Sequence, residues 1–354
     1  MNEQLSLFQI LDDSEKEAIE FRYQITSYGA DYPVDSLVNR INSKVIFVPP
    51  FQRKFVWDIF EASKFIESLI LGLPVPGIFL SKEQNTNRLL IVDGQQRLLS
   101  LHSFYRNNFK SEEFKLVGVQ ADLAGKTYGD LAIPDKTRLD DSIIHSTIIR
   151  QDEPDDNESS IYQVFERLNS GGRPLSPQEI RACIYYGDYN ELLGKLTNYV
   201  YWRLIFGAVH NERLKEEELI LRFFSLYFDL QYYEKPLKDF LNKRMSANRN
   251  FEIHSKEKLE NVFKETIELI QSTLGKSIFK VQKGIHAAVY DSIMIATAKR
   301  LEKGKITDTI AFKEAYKSLL NDRSYKKLIN AGTSDENSIT RRISLATKRF
   351  SNIS

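Results

Sequence analysis

The chain has a single cysteine, Cys183, among its 354 residues, and one thiol builds neither an internal disulfide framework nor a multi-cysteine zinc or iron–sulfur site. A reducing compartment suits such a composition. No apolar run approaches the roughly 18 to 20 residues needed to span a bilayer. The first twenty residues, MNEQLSLFQILDDSEKEAIE, are acidic and polar rather than signal-like. The expectation is a cytoplasmic protein with no membrane partner. Ten prolines and sixteen glycines are too few for collagen or a low-complexity chain, and 42% hydrophobic residues are too many for one that stays unfolded. The devices of several enzyme classes are missing as well. There is no Walker P-loop, no dinucleotide-binding G-x-G-x-x-G after a strand, no HExxH zinc motif and no G-x-S-x-G nucleophile elbow.

Net charge is also nearly absent, at +1, but it is unevenly spread. From Lys276 to Ser354, 16 Lys and Arg stand against 7 Asp and Glu, so this stretch carries +9 and the residues before it −8. A basic segment on an acidic body is a candidate contact for a polyanion; the plainer reading is that these cations solvate the outer faces of terminal helices.

Hydrophobic patterning divides the chain. A helical stretch is expected near Ser14 to Thr26, then mixed α and β structure. Val45–Val48 reads as a strand stopped by Pro49-Pro50, and Asp58 as the cap of a helix through Leu71. Gly77–Lys82 and Arg88–Val92 read as a β-hairpin, and Gln95 to about Asn107 as a helix that follows directly on Asp93-Gly94. Ser142–Ile149 is the last expected strand. Beyond the acidic loop at 151–160, long amphipathic stretches dominate: Ile161–Leu168, Pro177–Tyr186, Leu214–Leu230, Lys256–Leu274, Ile285–Leu301 and one from about Asn337. The fold class expected is α+β: a helical arm over 1–34, a mixed α/β domain over 35–150 and an all-α domain over 151–354 with a basic C-terminal part. The aromatics between Tyr185 and Trp202 read as helix core rather than as a stacking platform.

Three constellations can carry chemistry. In Pro50–Trp57, Gln52, Arg53 and Lys54 sit among apolar anchors just before a helix, either to hold a basic side chain toward a ligand or as surface charges around an aromatic plug. In Asp93-Gly94-Gln95-Gln96-Arg97, a helix opening directly after a glycine turn offers backbone N–H groups and the positive end of its dipole to an anion. Gln95 and Gln96 add donors there, and Arg97 can grip a phosphate bidentately. Asp93 can hold Mg²⁺, orient Arg97 or position a water, or simply cap the helix. In the third, Arg167, Asn169, Arg173 and Arg181 crowd a Gly171-Gly172 turn whose following helix carries its own capping grammar, Ser176-Pro177 and Glu179. Three arginines around a glycine loop suit a polyphosphate. Cys183 is read as packing, and His102, one turn beyond Arg97, as a core or solvent-facing histidine.

Four segments in this order, VPPFQRKFVW, ESLILGLPVPGIFL, IVDGQQRLLSL and FERLNSGGRPLSPQEIRACIYYGDY, resemble the N-terminal domain of GmrSD-type modification-dependent restriction enzymes. The resemblance is clear from about Asp35 to Tyr189 and continues more weakly through EEELILRFFSLYF and GIHAAVYDSIM. It implies a ParB/sulfiredoxin-like fold for the α/β domain and a nucleoside triphosphate bound with Mg²⁺. Asp93, Gly94, Gln95, Gln96 and Arg97 match the family's DGQQR motif of nucleotide binding and hydrolysis. Arg53 matches the arginine of the upstream motif, and Arg167 and Asn169 match the later one.

The resulting expectation is an NTPase. Its catalytic group is Asp93, Gln95, Gln96 and Arg97; Gln52, Arg53, Gly94, Arg167, Asn169 and Arg173 hold the nucleotide, Asp93 holds the metal, and the site is expected where the two domains join. Family members that cut DNA commonly carry an HNH nuclease domain, whereas His102, His145, His210, His254 and His286 form no such constellation. The resemblance therefore implies foreign or modified DNA as partner, with cleavage left to a separate nuclease subunit or to none; self-association is left open. The rivals are a DNA-binding or nicking protein that uses the same basic cleft for DNA phosphate, and an inert regulatory subunit.

Overall fold

The computed structural model describes residues 24–47, 55–83, 86–153, 159–168, 175–211, 213–280 and 284–354. They form two compact units. The α/β unit comprises the described residues up to Leu175 together with Ala182–Ile184, and the helical unit comprises Ser176–Arg181 and Tyr185–Ser354.

In the α/β unit five strands form one mixed sheet: β1 (Gln24–Pro33), β2 (Ile46–Phe47), β3 (Ile78–Lys82), β4 (Leu89–Asp93) and β5 (Ile143–Glu153), in the order β1-β5-β3-β4-β2. β1 runs antiparallel to β5 and β3 antiparallel to β4, while the β5–β3 and β4–β2 pairs are parallel. The expected hairpin is thus the centre of the sheet. The segment expected to be helical as far as Thr26 is different. Its part before Gln24 lies outside the described residues, and Gln24–Thr26 open β1, paired with β5 from Gln24↔Glu153 to Pro33↔Ile143. Tertiary pairing overrides local preference there.

Period-two burial of Ile78 and Leu80, Leu89 and Ile91, and Ile144 and Ile148 gives the sheet one apolar face. Four helices bury their stripes in the same core: α1 (Val34–Asn42), α2 (Ile59–Ile70), α3 (Gln95–Tyr105) and α4 (Ile133–Asp141). Asp58 starts α2 as anticipated, in a capping box with Glu61. The opposite-parity residues Leu90, Val92 and Ile149 are buried too, and α5 (Ser159–Leu168) packs on β5 and β4.

The helical unit holds α6 (Pro177–Ile184, shared with the α/β unit at its last turn), α7 (Asp188–Leu196), α8 (Val200–Phe206), α9 (Lys215–Asp229), α10 (Leu237–Ala247), α11 (Lys256–Leu274), α12 (Ala287–Leu301), α13 (Thr309–Asn321), α14 (Arg323–Asn330) and α15 (Glu336–Phe350). Tyr185, Tyr189 and Trp202 are buried, with Trp202 stacked on Phe206 at 4.0 Å and edge-on to Tyr290. Aromatic packing, not a stacking platform, is their role.

α12 is buried almost all round, and its Asp291 anchors two cations in the core. Arg222 of α9 donates from Nε (3.2 Å) and Nη2 (2.7 Å), and Arg342 of α15 donates from Nη2 (3.1 Å). A second Arg342 nitrogen donates to the Thr333 carbonyl. Two buried guanidinium groups share one carboxylate, so neutralising Asp291 strands both. Asp291→Asn is expected to cost about 3 to 5 kcal/mol, read by urea unfolding; a loss near zero would show that the two arginines do not depend on it.

At the start of α9, Glu216 accepts from Trp202 Nε1 (2.6 Å) and pairs with Arg203, whereas burial pushes the Glu217 carboxyl up to about 7. The folded chain therefore takes up a proton below about pH 7 that the unfolded chain takes up only near 4.5. Stability should rise as pH falls through that window. Glu217→Gln should flatten this part of the stability profile, and an unchanged profile would exclude Glu217 as its source.

Candidate functional site

Strand β4 passes directly into α3 through Gly94, at φ 93 and ψ 11. A Cβ there would stand 2.4 Å from Ile78 Cγ2, so both the left-handed backbone and the packing on β3 require glycine. As N-cap, Gly94 supplies no side chain, and the first turn of α3 has no side-chain cap. Its partial positive charge lies at the end of β4.

Two side chains in that turn reach backward. Arg97 Nη1 donates to the carbonyls of Pro76 (2.6 Å) and Gly77 (2.8 Å), and its Nη2 donates to Asp93 Oδ2 (2.7 Å). Gln96 Oε1 accepts from the backbone N–H groups of Val56 (2.9 Å) and Trp57 (3.1 Å). The DGQQR motif thereby fastens two incoming segments: the Leu73–Gly77 loop that enters β3, and the last residues of the VPPFQRKFVW motif. Aromatic packing holds the second one further. Phe55 lies edge-on to Phe109 at 5.1 Å and Trp57 edge-on to Phe65 at 5.9 Å, while Lys110 Nζ donates to the Trp57 carbonyl.

The site residues read from the sequence separate into groups. Asp93, Gly94, Gln95, Gln96 and Arg97 share one junction. The Asp93 side chain is 41% exposed and that of Arg97 only 13%, so the carboxylate faces solvent while the guanidinium is largely enclosed. Three of the five Arg97 N–H groups are engaged within the fold. Gln52, Arg53, Asn169 and Arg173 lie outside the described residues. Arg167 is exposed on the last turn of α5, the helix packed on β5 and β4.

Arg181 does not belong with them. It is fully buried in the helical unit, donating to Gln178 Oε1 (2.8 Å), Asn242 Oδ1 (3.3 Å) and Glu218 Oε2 (2.5 Å), and a guanidinium so enclosed offers nothing to a polyphosphate. His102 is half-buried, with Nε2 3.1 Å from Asn42 Oδ1, and burial lowers its pKa. Cys183 is buried.

Sequence reading anticipated Asp93 as a partner of Arg97 but missed the other two, which are backbone carbonyls; the signal available was the LPVPG segment that accompanies DGQQR. It also missed a cluster at the far end of α3. Tyr105 and Tyr128, stacked at 4.1 Å, both donate to Asp140. Burial and that carboxylate push the Tyr128 phenol up to about 12 and the Tyr105 phenol higher still, so both stay protonated donors that tie α3 to α4.

Among the described residues, no three or more His, Cys, Asp or Glu are grouped to hold a metal, and no helix is long and apolar enough to cross a membrane. Asp93 alone is still compatible with Mg²⁺, which commonly takes one or two carboxylates and completes its shell with phosphate oxygens and water.

A mixed sheet in which β4 feeds a glycine turn, with an exposed carboxylate and an arginine four residues apart, defines an α/β domain with a strand–glycine–helix junction. Residues 34–186 match the family model described as GmrSD restriction endonuclease, N-terminal domain. No curated protein matches the chain.

Because Gln96 accepts from two backbone donors, of which Val56 is exposed and open to water, Gln96→Ala should destabilise the α/β unit by about 0.5 to 1.5 kcal/mol. Amide hydrogen exchange at Val56 and Trp57 should accelerate in that variant. Unchanged protection at both amides would show that Gln96 does not hold this segment.

Proposed function

We propose that the chain is a nucleotide-dependent component of a restriction-type DNA defence system. It binds a nucleoside triphosphate with Mg²⁺ at the β4–α3 junction and hydrolyses it, and the nucleotide state governs its engagement of foreign or modified DNA. The observation that carries this reading is the Gly94 turn: an uncapped helix start, with an exposed Asp93 beside it, in a domain that matches a restriction endonuclease family.

Backbone N–H groups of the first turn of α3 receive phosphate oxygens, and the helix dipole favours their charge. Gln96 contributes its amide NH₂, since its Oε1 is occupied by Val56 and Trp57. Arg97 acts from a fixed position, with the two N–H groups not used by Pro76, Gly77 and Asp93. Gln52, Gln95, Arg53, Arg167, Asn169 and Arg173 are assigned to the cradle by their motifs. Asp93 orients the attacking water or holds Mg²⁺, which when bound neutralises charge on the transferring phosphoryl group. DNA cleavage falls to a separate nuclease.

The enclosure of Arg97 favours a second reading, in which the motif is architectural and the domain acts as a regulatory subunit without turnover. Thermal unfolding separates the two. With each common triphosphate and Mg²⁺, the first reading expects one to stabilise the protein, by about 2.7 kcal/mol at a hundredfold excess over Kd. It expects Arg53→Ala and Asp93→Asn to abolish the shift. No stabilisation by any triphosphate would overturn nucleotide binding and leave the architectural reading.

A further inference from the structure

The basic excess near the C-terminal part of the sequence is carried largely by exposed side chains on three helices of the helical unit. On α14, Tyr325 and Ile329 are buried, while Arg323, Lys326 and Lys327 are exposed at i, i+3 and i+4. On α13, Lys313 and Lys317 are exposed one turn apart, and on α15, Arg341 and Lys348 are exposed two turns apart. These seven side chains form no ion pair among the described residues.

A polar knot holds the three helices as a unit. Arg349 of α15 donates to Ser318 Oγ of α13 (2.7 Å) and to Asp322 Oδ2 (3.3 Å). Asp322 is at once the C-cap of α13 and the N-cap of α14, accepting from the Ser324 and Tyr325 N–H groups. Lys317, Arg323 and Lys348 are the immediate chain neighbours of Ser318, Asp322 and Arg349, so cations from all three helices flank one fixed point. The acids of this region are mostly turned elsewhere. Asp322 is committed to Arg349, Asp335 lies 3.8 Å from Lys235 Nζ, and Glu336 accepts from the Lys235 N–H; only Glu314 is exposed and unpaired.

We propose that α13, α14 and α15 form a face that binds the phosphodiester backbone of duplex DNA without reading its sequence. Unpaired cations on short rigid helices, with several directions of approach, suit a dense row of phosphates, because each contact releases a condensed counterion. A membrane surface is disfavoured. An interfacial helix carries large apolar anchors beside its cations, whereas the one large hydrophobic exposed in these helices is Ile310, in the first turn of α13. The choice of DNA among polyanions rests on the restriction-type reading above; the face itself does not.

The test uses the full chain, a fluorescein-labelled duplex and anisotropy titrations across about 50 to 200 mM KCl. A variant carrying Lys313→Glu, Lys317→Glu, Lys326→Glu and Lys327→Glu is compared with one carrying Lys44→Glu, Lys243→Glu, Lys256→Glu and Lys276→Glu. The second set makes the same change in net charge at exposed positions outside α13, α14 and α15. The first set is expected to weaken binding about tenfold or more and to make the log–log salt slope shallower by about 3 to 4, near 0.9 per lost phosphate contact. The second should leave both within about twofold. Lys→Gln at the first four positions serves if charge reversal impairs folding. Equal losses in both sets, no duplex binding by the wild type at the lowest salt, or binding to phosphatidylserine vesicles in place of duplex would overturn the proposal. The triphosphate-induced thermal shift should persist in the four-lysine variant, so failure of this face and failure of the nucleotide reading are separate results.

Discussion

The α/β unit depends on how β4 turns into α3. At Gly94 the backbone must take a left-handed turn beneath Ile78, and neighbouring segments are tied to Gln96 and Arg97 just beyond it. Arg97 reaches back to two carbonyls at the entry to β3 and to Asp93 at the exit of β4; Gln96 reaches sideways to the chain entering α2. Two segments distant in sequence are thus fixed relative to one helix start, by bonds that use charged or amide side chains against backbone groups. Such bonds are costly to leave unmade, which explains why a short motif can position several loops at once.

The same economy bears on function. A guanidinium held by three partners loses little entropy when it meets a phosphate, but it cannot move toward one. On the proposed reading the phosphate would have to come to Arg97, received by backbone N–H groups of the first turn, with Asp93 reaching it only through a bound cation. A preorganised cradle of this kind supports electrostatic catalysis, and it equally supports a rigid regulatory module, so turnover is the property that divides the two readings.

The sequence disclosed much of this through local chemistry. Asp58 as a cap, Ser176 with Glu179 and the Asp93-Gly94 break all rest on near neighbours in the chain, and all three reappear as caps or turns at those residues. α11 falls at Lys256–Leu274 because its apolar period and its Ser255 cap agree. Long-range pairing was not legible. β1 falls in a stretch that reads as a helical arm until β5, more than a hundred residues later, supplies its partner, and Arg181 reads as part of a phosphate loop until Glu218 and Asn242 enclose it. Arg97 lies between these cases: its place was legible, but its carbonyl partners carry no side-chain signature.

The most direct measurement of the central claim, that the β4–Gly94–α3 junction is a phosphate-binding turn, is residue-resolved amide hydrogen exchange with and without saturating Mg²⁺ and triphosphate. Slowed exchange at the backbone amides of Gln95, Gln96 and Arg97 is the predicted result. Protection that changes elsewhere in the chain while these three amides stay the same would contradict it.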